Sequence, residues 1–127
     1  MKRHILPKSE RLCHDKVISA LFTEGSSSFA PPFRFYWRIT EAVEGRPNVS
    51  VLFSVPKRQF KRAVKRNLLK RRMREAYRLN KSGFGACAQE KGLRVELALI
   101  YTSKEVSEYK NIEHGVRKVL AEITKRL

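Results

Sequence analysis

Between Lys57 and Arg78 the chain holds eleven Lys or Arg, one acid (Glu75), and neither Gly nor Pro. A run of that kind has few ways to fold. Leu69, Met73 and Ala76 recur at helical spacing, so a helix is expected from about Lys61 to Asn80, docking those residues and turning its cations outward. At about 100° per residue, Arg66, Asn67, Lys70, Arg71, Arg74 and Arg78 fall within one arc. Arg62 and Lys65, at the start of the helix, are further candidates for RNA contact. Solvated helices usually interleave Glu with Lys four residues apart, because that pairing stabilises them. One acid among eleven bases instead leaves like charges to repel, and such a stripe suits a polyanion better than bulk water. Arg forks bond phosphate oxygens in pairs and Lys supplies a point charge. The Asn67 amide is both donor and acceptor, and so can read a base edge or a 2′-hydroxyl.

The whole chain of 127 residues carries a formal charge of +16, and +10 of it lies in this stretch. Nucleic acid or an anionic membrane is therefore the first partner class. No apolar run approaches the ~20 residues of a membrane span. The start, Met1-Lys2-Arg3-His4-Ile5-Leu6-Pro7, is basic but lacks the apolar core of a signal peptide. Cys13 and Cys87 are too few for a disulfide framework or a zinc site, and read as reduced thiols of a cytoplasmic protein. With 42% hydrophobic residues, residues 1–127 are expected to form one domain, with 1–10 as a basic arm.

Elsewhere the periodicities alternate between helix and strand. Asp15 can cap a short amphipathic helix with Val17, Ile18, Leu21 and Phe22 on one face and Gly25 at its end. Gly25 to Ser28 reads as a loop, and Pro31-Pro32 keeps the chain from turning helical. Phe33, Phe35, Trp37 and Ile39 alternate with Arg34, Tyr36, Arg38 and Thr40, which is a strand. Glu44 to Asn48 reads as a hairpin turn into a second strand, about Val49 to Val55. Ser82-Gly83-Phe84-Gly85 breaks the long helix, and residues 86–91 form at most a short turn. Leu93 to Tyr101 is apolar enough to be a central strand. Ser103 can cap a final helix that repeats Tyr109, Ile112, Val116, Val119, Leu120 and Ile123. The order α-β-β-α-β-α describes a small α+β sandwich with helices on one sheet.

The strand face with Arg34, Tyr36 and Arg38 is a second candidate surface. Rings interleaved with arginine suit single-stranded nucleic acid, although a covering helix would equally account for Tyr36. No constellation of catalytic residues stands out. His4, His14 and His114 lack the spaced partners of a metal site or triad, and no Gly-rich phosphate loop or paired carboxylates occur. No metal site is expected in the protein itself.

The stretch Ala63-Val64-Lys65-Arg66-Asn67-Leu68-Leu69-Lys70-Arg71-Arg72-Met73-Arg74-Glu75-Ala76-Tyr77 resembles the signature helix of the bacterial ribonuclease P protein subunit. That family reads A-V-x-R-N-R-x-K-R-x-x-R-E/Q-x-F/Y after a strand ending S-V-x-K, supplied here by Ser54-Val55-Pro56-Lys57. Arg11-Leu12 to Phe22 with Gly25 resembles the family's first helix, and Phe33 to Trp37 its first strand. Leu68 stands where the family has a second arginine. The loop before the helix lacks the family's glycine and is one residue longer. Ile18 occupies a position that is aromatic in the family.

The resemblance implies a fold like the second domain of ribosomal protein S5, with the basic helix in a left-handed βαβ crossover. It implies a ribonuclease P subunit that, one copy per RNA, partners a large catalytic RNA and helps it cut the 5′ leader from precursor tRNA. The RNA would bind the catalytic Mg²⁺. Arg62, Lys65, Arg66, Asn67, Lys70, Arg71, Arg74 and Arg78 would meet RNA, and Ile18, Phe22, Phe33, Arg34 and Tyr36 would line a cleft for the single-stranded leader. Two other classes fit the charge: a structural RNA-binding protein of the ribosomal kind, and a membrane-active basic helix. The second needs a wider apolar face than Leu69, Met73 and Ala76 make.

Overall fold

The computed structural model describes residues 21–127. A helical turn at 21–24 is followed by β1 (Ser26–Ala30), β2 (Phe33–Glu41), β3 (Val49–Ser54), α1 (Ala63–Glu90), β4 (Leu93–Tyr101) and α2 (Tyr109–Thr124). The expected cap at Asp15 and the arm at 1–10 lie outside the described residues.

The four strands form one sheet in the order β1-β2-β4-β3. β4 runs antiparallel to β2 and parallel to β3, so α1 spans a parallel crossover. β4 is central, as its apolar content suggests, and this corrects the expected hairpin. β2 and β3 follow one another in sequence but never pair, because β4 sits between them. The loop that joins them is pinned to β4 instead: Val95 N–H donates to Asn48 O at 2.7 Å, and Asn48 Nδ2 donates to Leu93 O at 2.9 Å.

β1 is a second departure from expectation. Ser26-Ser27-Ser28 has no apolar alternation, yet it pairs with β2 from Ser26↔Trp37 to Ala30↔Phe33. Pro31-Pro32, joined by a cis peptide, makes the turn between them.

Both helices cover one face of the sheet. Phe33, Phe35, Trp37, Val49, Val51, Val95, Leu97, Leu99 and Tyr101 point into that layer. They meet Leu69, Met73, Ala76 and Tyr77 of α1 and Ile112, Val116, Val119 and Ile123 of α2. Gly115 permits the close approach of α2, since a Cβ there would lie 2.9 Å from Pro31 O and 3.0 Å from the Phe33 ring.

α1 runs straight through Gly83 and Gly85, which corrects the expected break. Phe84 and Ala88 continue the buried stripe of the helix. Burying Phe84 contributes about 1.5–3 kcal/mol, which offsets the roughly 1–2 kcal/mol that two helical glycines cost. The helix ends at Glu90, and Gly92, just past the C-cap Lys91, has a φ of 66°, the left-handed conformation that closes a helix. α2 begins at Tyr109 rather than after Ser103. Ser103 Oγ accepts the Glu105 N–H at 3.2 Å, making only a local turn. The loop then folds over the buried Tyr101 hydroxyl, which donates to Glu105 O and bonds Ser107 Oγ and N–H.

Candidate nucleic-acid interface

The start of α1 is set by the glycine-free loop that precedes it. Phe60 is buried with its ring 5.8 Å from that of Tyr101, and Gln59 Nε2 donates to Thr102 O at 2.9 Å. Arg62, at the N-cap of α1, makes no side-chain cap, and no acid occupies the first turn. The positive end of the helix dipole therefore adds to the basic stripe beside it.

Arg66 braces this start. Its Nη1 donates to Phe60 O at 2.7 Å and to Lys61 O at 2.8 Å. The arginine shares its helical side with buried Met73, seven residues on, and so meets the loop rather than open solvent. Asn67, Lys70, Arg71 and Arg74 do come together, lining a groove with Val64 and Leu68. Arg62 and Lys65 are exposed beside the first turn. Arg78 is turned onto Glu75: Nε donates at 3.1 Å and Nη2 at 2.5 Å. These bonds hold the Glu75 carboxyl below its ordinary value and raise the guanidinium of Arg78. Of the remaining cations, Arg72 donates to Ser107 O at 2.6 Å and ties α1 to the loop before α2.

The centre of this surface is not purely ionic. Val64 is 79% exposed and stands one turn from half-buried Leu68. The charge pattern drew attention away from this apolar pair, although its spacing of four was readable.

The second candidate surface lies on the opposite face of the sheet. Tyr36, Arg38, Leu52, Arg94, Glu96 and Ala98 alternate out of the helical layer. Leu21 packs there with Ala98, Tyr36 and Leu52. Gly25 allows the approach, because a Cβ would meet Leu21 O at 2.4 Å and Trp37 O at 2.9 Å. Phe22 meets Tyr36 edge-on with ring centroids 4.8 Å apart, and the Arg34 guanidinium lies 6.0 Å from the Tyr36 ring centre. Phe22, Arg34 and Tyr36 are thus brought together.

Phe33 is not with them. It is fully buried on the helical face, 6.0 Å from the Tyr101 ring, so it belongs to the core and not to this surface. Ile18 lies outside the described residues. An unforeseen neighbour, Phe29, is 61% exposed and sits opposite Arg34 in the strand register.

Arg38 is committed to structure. Its guanidinium holds Glu96 Oε1 at 2.6 Å and reaches Glu24 at 3.3 Å. Arg94 Nη2 donates to Ser50 Oγ at 2.9 Å, and burial pulls the Arg94 guanidinium below its ordinary value against the opposing charge of Glu96. Among the described residues, no three His, Cys, Asp or Glu side chains converge to hold a metal ion. No described helix is long and apolar enough to cross a membrane.

Comparison with known proteins shows what the chain as a whole is similar to. The family model for ribonuclease P matches residues 6–124. A ribonuclease P protein component from Porphyromonas gingivalis is 37% identical over 118 residues, covering 93% of this chain and 85% of that protein. One from Chlorobium phaeobacteroides is 35% identical over 135 residues, covering 94% and 91%. The Staphylococcus aureus RNase P protein shares the fold with a TM-score of 0.69 at 20% identity, covering 93% of this chain and 97% of that one.

Proposed function

The chain belongs to the ribonuclease P protein family, and from that membership we propose that it binds the ribonuclease P RNA and the 5′ leader of precursor tRNA on two separate surfaces. Its role in tRNA 5′ processing follows from the family; the division of labour is our reading. The observation that carries it is the groove of Asn67, Lys70, Arg71 and Arg74 on α1. Three cations there project from one helix with no paired acid among the described residues, which suits phosphates fixed in a folded RNA.

The Phe22, Tyr36 and Arg34 cluster suits the leader. A base stacks on an aromatic face whatever its sequence, and a nearby arginine offsets the phosphate charge. The two surfaces are separated by the sheet, so one small protein can touch both RNAs. Its charge of +16 offsets the repulsion between them, lowering the salt or Mg²⁺ needed for their encounter. The described side chains offer no set of ligands for Mg²⁺, and we assign that ion to RNA phosphates. We further assign one protein copy per RNA, in the cytoplasm.

Cleavage of a 5′-extended precursor tRNA by a cognate ribonuclease P RNA at low Mg²⁺ tests the reading. Product that forms only when the protein is added is expected. Tight binding to that RNA with no stimulation would overturn it in favour of a structural RNA-binding role.

A further inference from the structure

We propose that a long leader continues past Tyr36, over Phe29 at the rim of the sheet, into a groove between β1 and α2 where Lys118 and Lys125 hold its phosphates. The inference rests on the leader reading above, and extends it to a surface on the other side of the sheet edge.

β1 ends the sheet. Phe29 stands on it, 61% exposed, opposite Arg34 and diagonal to Tyr36 in the register. Diagonal neighbours on adjacent strands are roughly 7–8 Å apart, so the two rings can take successive splayed bases. A phenylalanine this exposed gains little from packing, yet it lies in line with the Tyr36 and Arg34 pair. Phe29 also borders a groove whose floor is Ala30 and Phe35 and whose far wall is Lys118 and Lys125 of α2.

Electrostatics favour a single RNA strand there. Both lysines are exposed, and among the described residues no acid pairs with either. The acids of α2 are engaged elsewhere: Glu113 by Arg117 at 3.5 Å, and Glu122, which also borders the groove, by Arg126 at 3.3 Å. Seven residues separate the lysines, which places them about 10 Å apart along one side of the helix. The groove has buried Ala30 and Phe35 at its floor, and Lys118, Lys125 and the Arg126-paired Glu122 along one wall, which suits the phosphates of a strand already unpaired at Tyr36.

The test compares precursor tRNAs with a leader of a few nucleotides and one several times longer, bound to the holoenzyme. Lengthening the leader is expected to tighten binding by the wild-type protein. Phe29→Ala should weaken binding of the long leader about tenfold, within the range of one lost stack. Lys118→Ala with Lys125→Ala should lower the salt slope for the long leader by about 1.4, or about 0.7 per phosphate contact. All these variants should bind the short leader as wild type does. Equal losses on both leaders, or no loss on either, would overturn the track. Tyr36→Ala separates the two ideas: if it weakens precursor but not mature tRNA while the groove variants do nothing, the track fails and the leader reading stands. If it affects neither, the leader reading fails as well.

Discussion

Arg38 and Glu96 oppose each other directly in the β2–β4 register, and the Nε and Nη2 atoms of the arginine both lie 2.6 Å from the same carboxylate oxygen. Arg94 stands 3.9 Å from the other oxygen. One buried carboxylate therefore holds two guanidiniums on the second face of the sheet. Removing it leaves the largely buried Arg94 guanidinium with neutral partners, Ser50 Oγ and Pro47 O, and no opposing charge among the described residues. Glu96→Ala should cost about 3 kcal/mol of stability, read as a lowered urea midpoint with an unchanged slope. A loss below about 0.5 kcal/mol, the usual scatter for surface changes, would mean water replaces the carboxylate without cost.

The glycines of α1 and α2 should respond in opposite directions. Nothing lies within 4 Å of a Cβ built on Gly83 or Gly85, so Gly83→Ala and Gly85→Ala should each raise stability by about 0.5–1 kcal/mol. At Gly115 the added methyl would press on a backbone carbonyl and the Phe33 ring. Gly115→Ala should cost about 1–3 kcal/mol. Thermal melts of the three variants check both signs.

Arg66 and its neighbours on α1 should separate in two assays. Arg71→Ala and Arg74→Ala should leave the melting temperature unchanged and lower the salt slope of RNA binding by about one each. Arg66→Ala removes two bonds to loop carbonyls, so it should lower the melting temperature as well. Equal melting temperatures for all three would show that the brace does not hold the start of the helix.

Glu75 gives a pH dependence whose sign follows from its depressed pKa. The Arg78 bonds favour the carboxylate in the folded protein, so their contribution is complete above the unfolded carboxyl value. It is lost as pH falls through the lower, folded one. Because the pair is exposed, the effect should be small, and Glu75→Gln should flatten it. The same variant removes a negative charge beside the cations of α1 and should tighten RNA binding. Weaker binding would show that Glu75 positions Arg78.

The charge stripe of α1 was legible because eleven cations in one helical run admit few arrangements. The central place of β4 was legible because a strand paired along both edges is dense in buried apolar residues. β1 was not, since three serines carry no periodicity and the strand exists only through its pairing with β2. The brace at Arg66 was equally hidden, because it depends on the path of the loop that Phe60 pins. The period of two already put Phe33 on the face opposite Tyr36; family resemblance, not alternation, had joined them. Phe29 was overlooked because it falls between the loop read at Gly25 to Ser28 and Pro31-Pro32, with no periodicity to place it.

The strand order β1-β2-β4-β3 also governs when the protein can assemble during its own synthesis. β2 and β3 are both made before α1, but neither can pair with the other, and the strand that links them is complete only at Tyr101. A ribosome that has finished the basic helix has therefore released a cationic segment whose docking platform is still unbuilt. The sheet closes from its middle, and last.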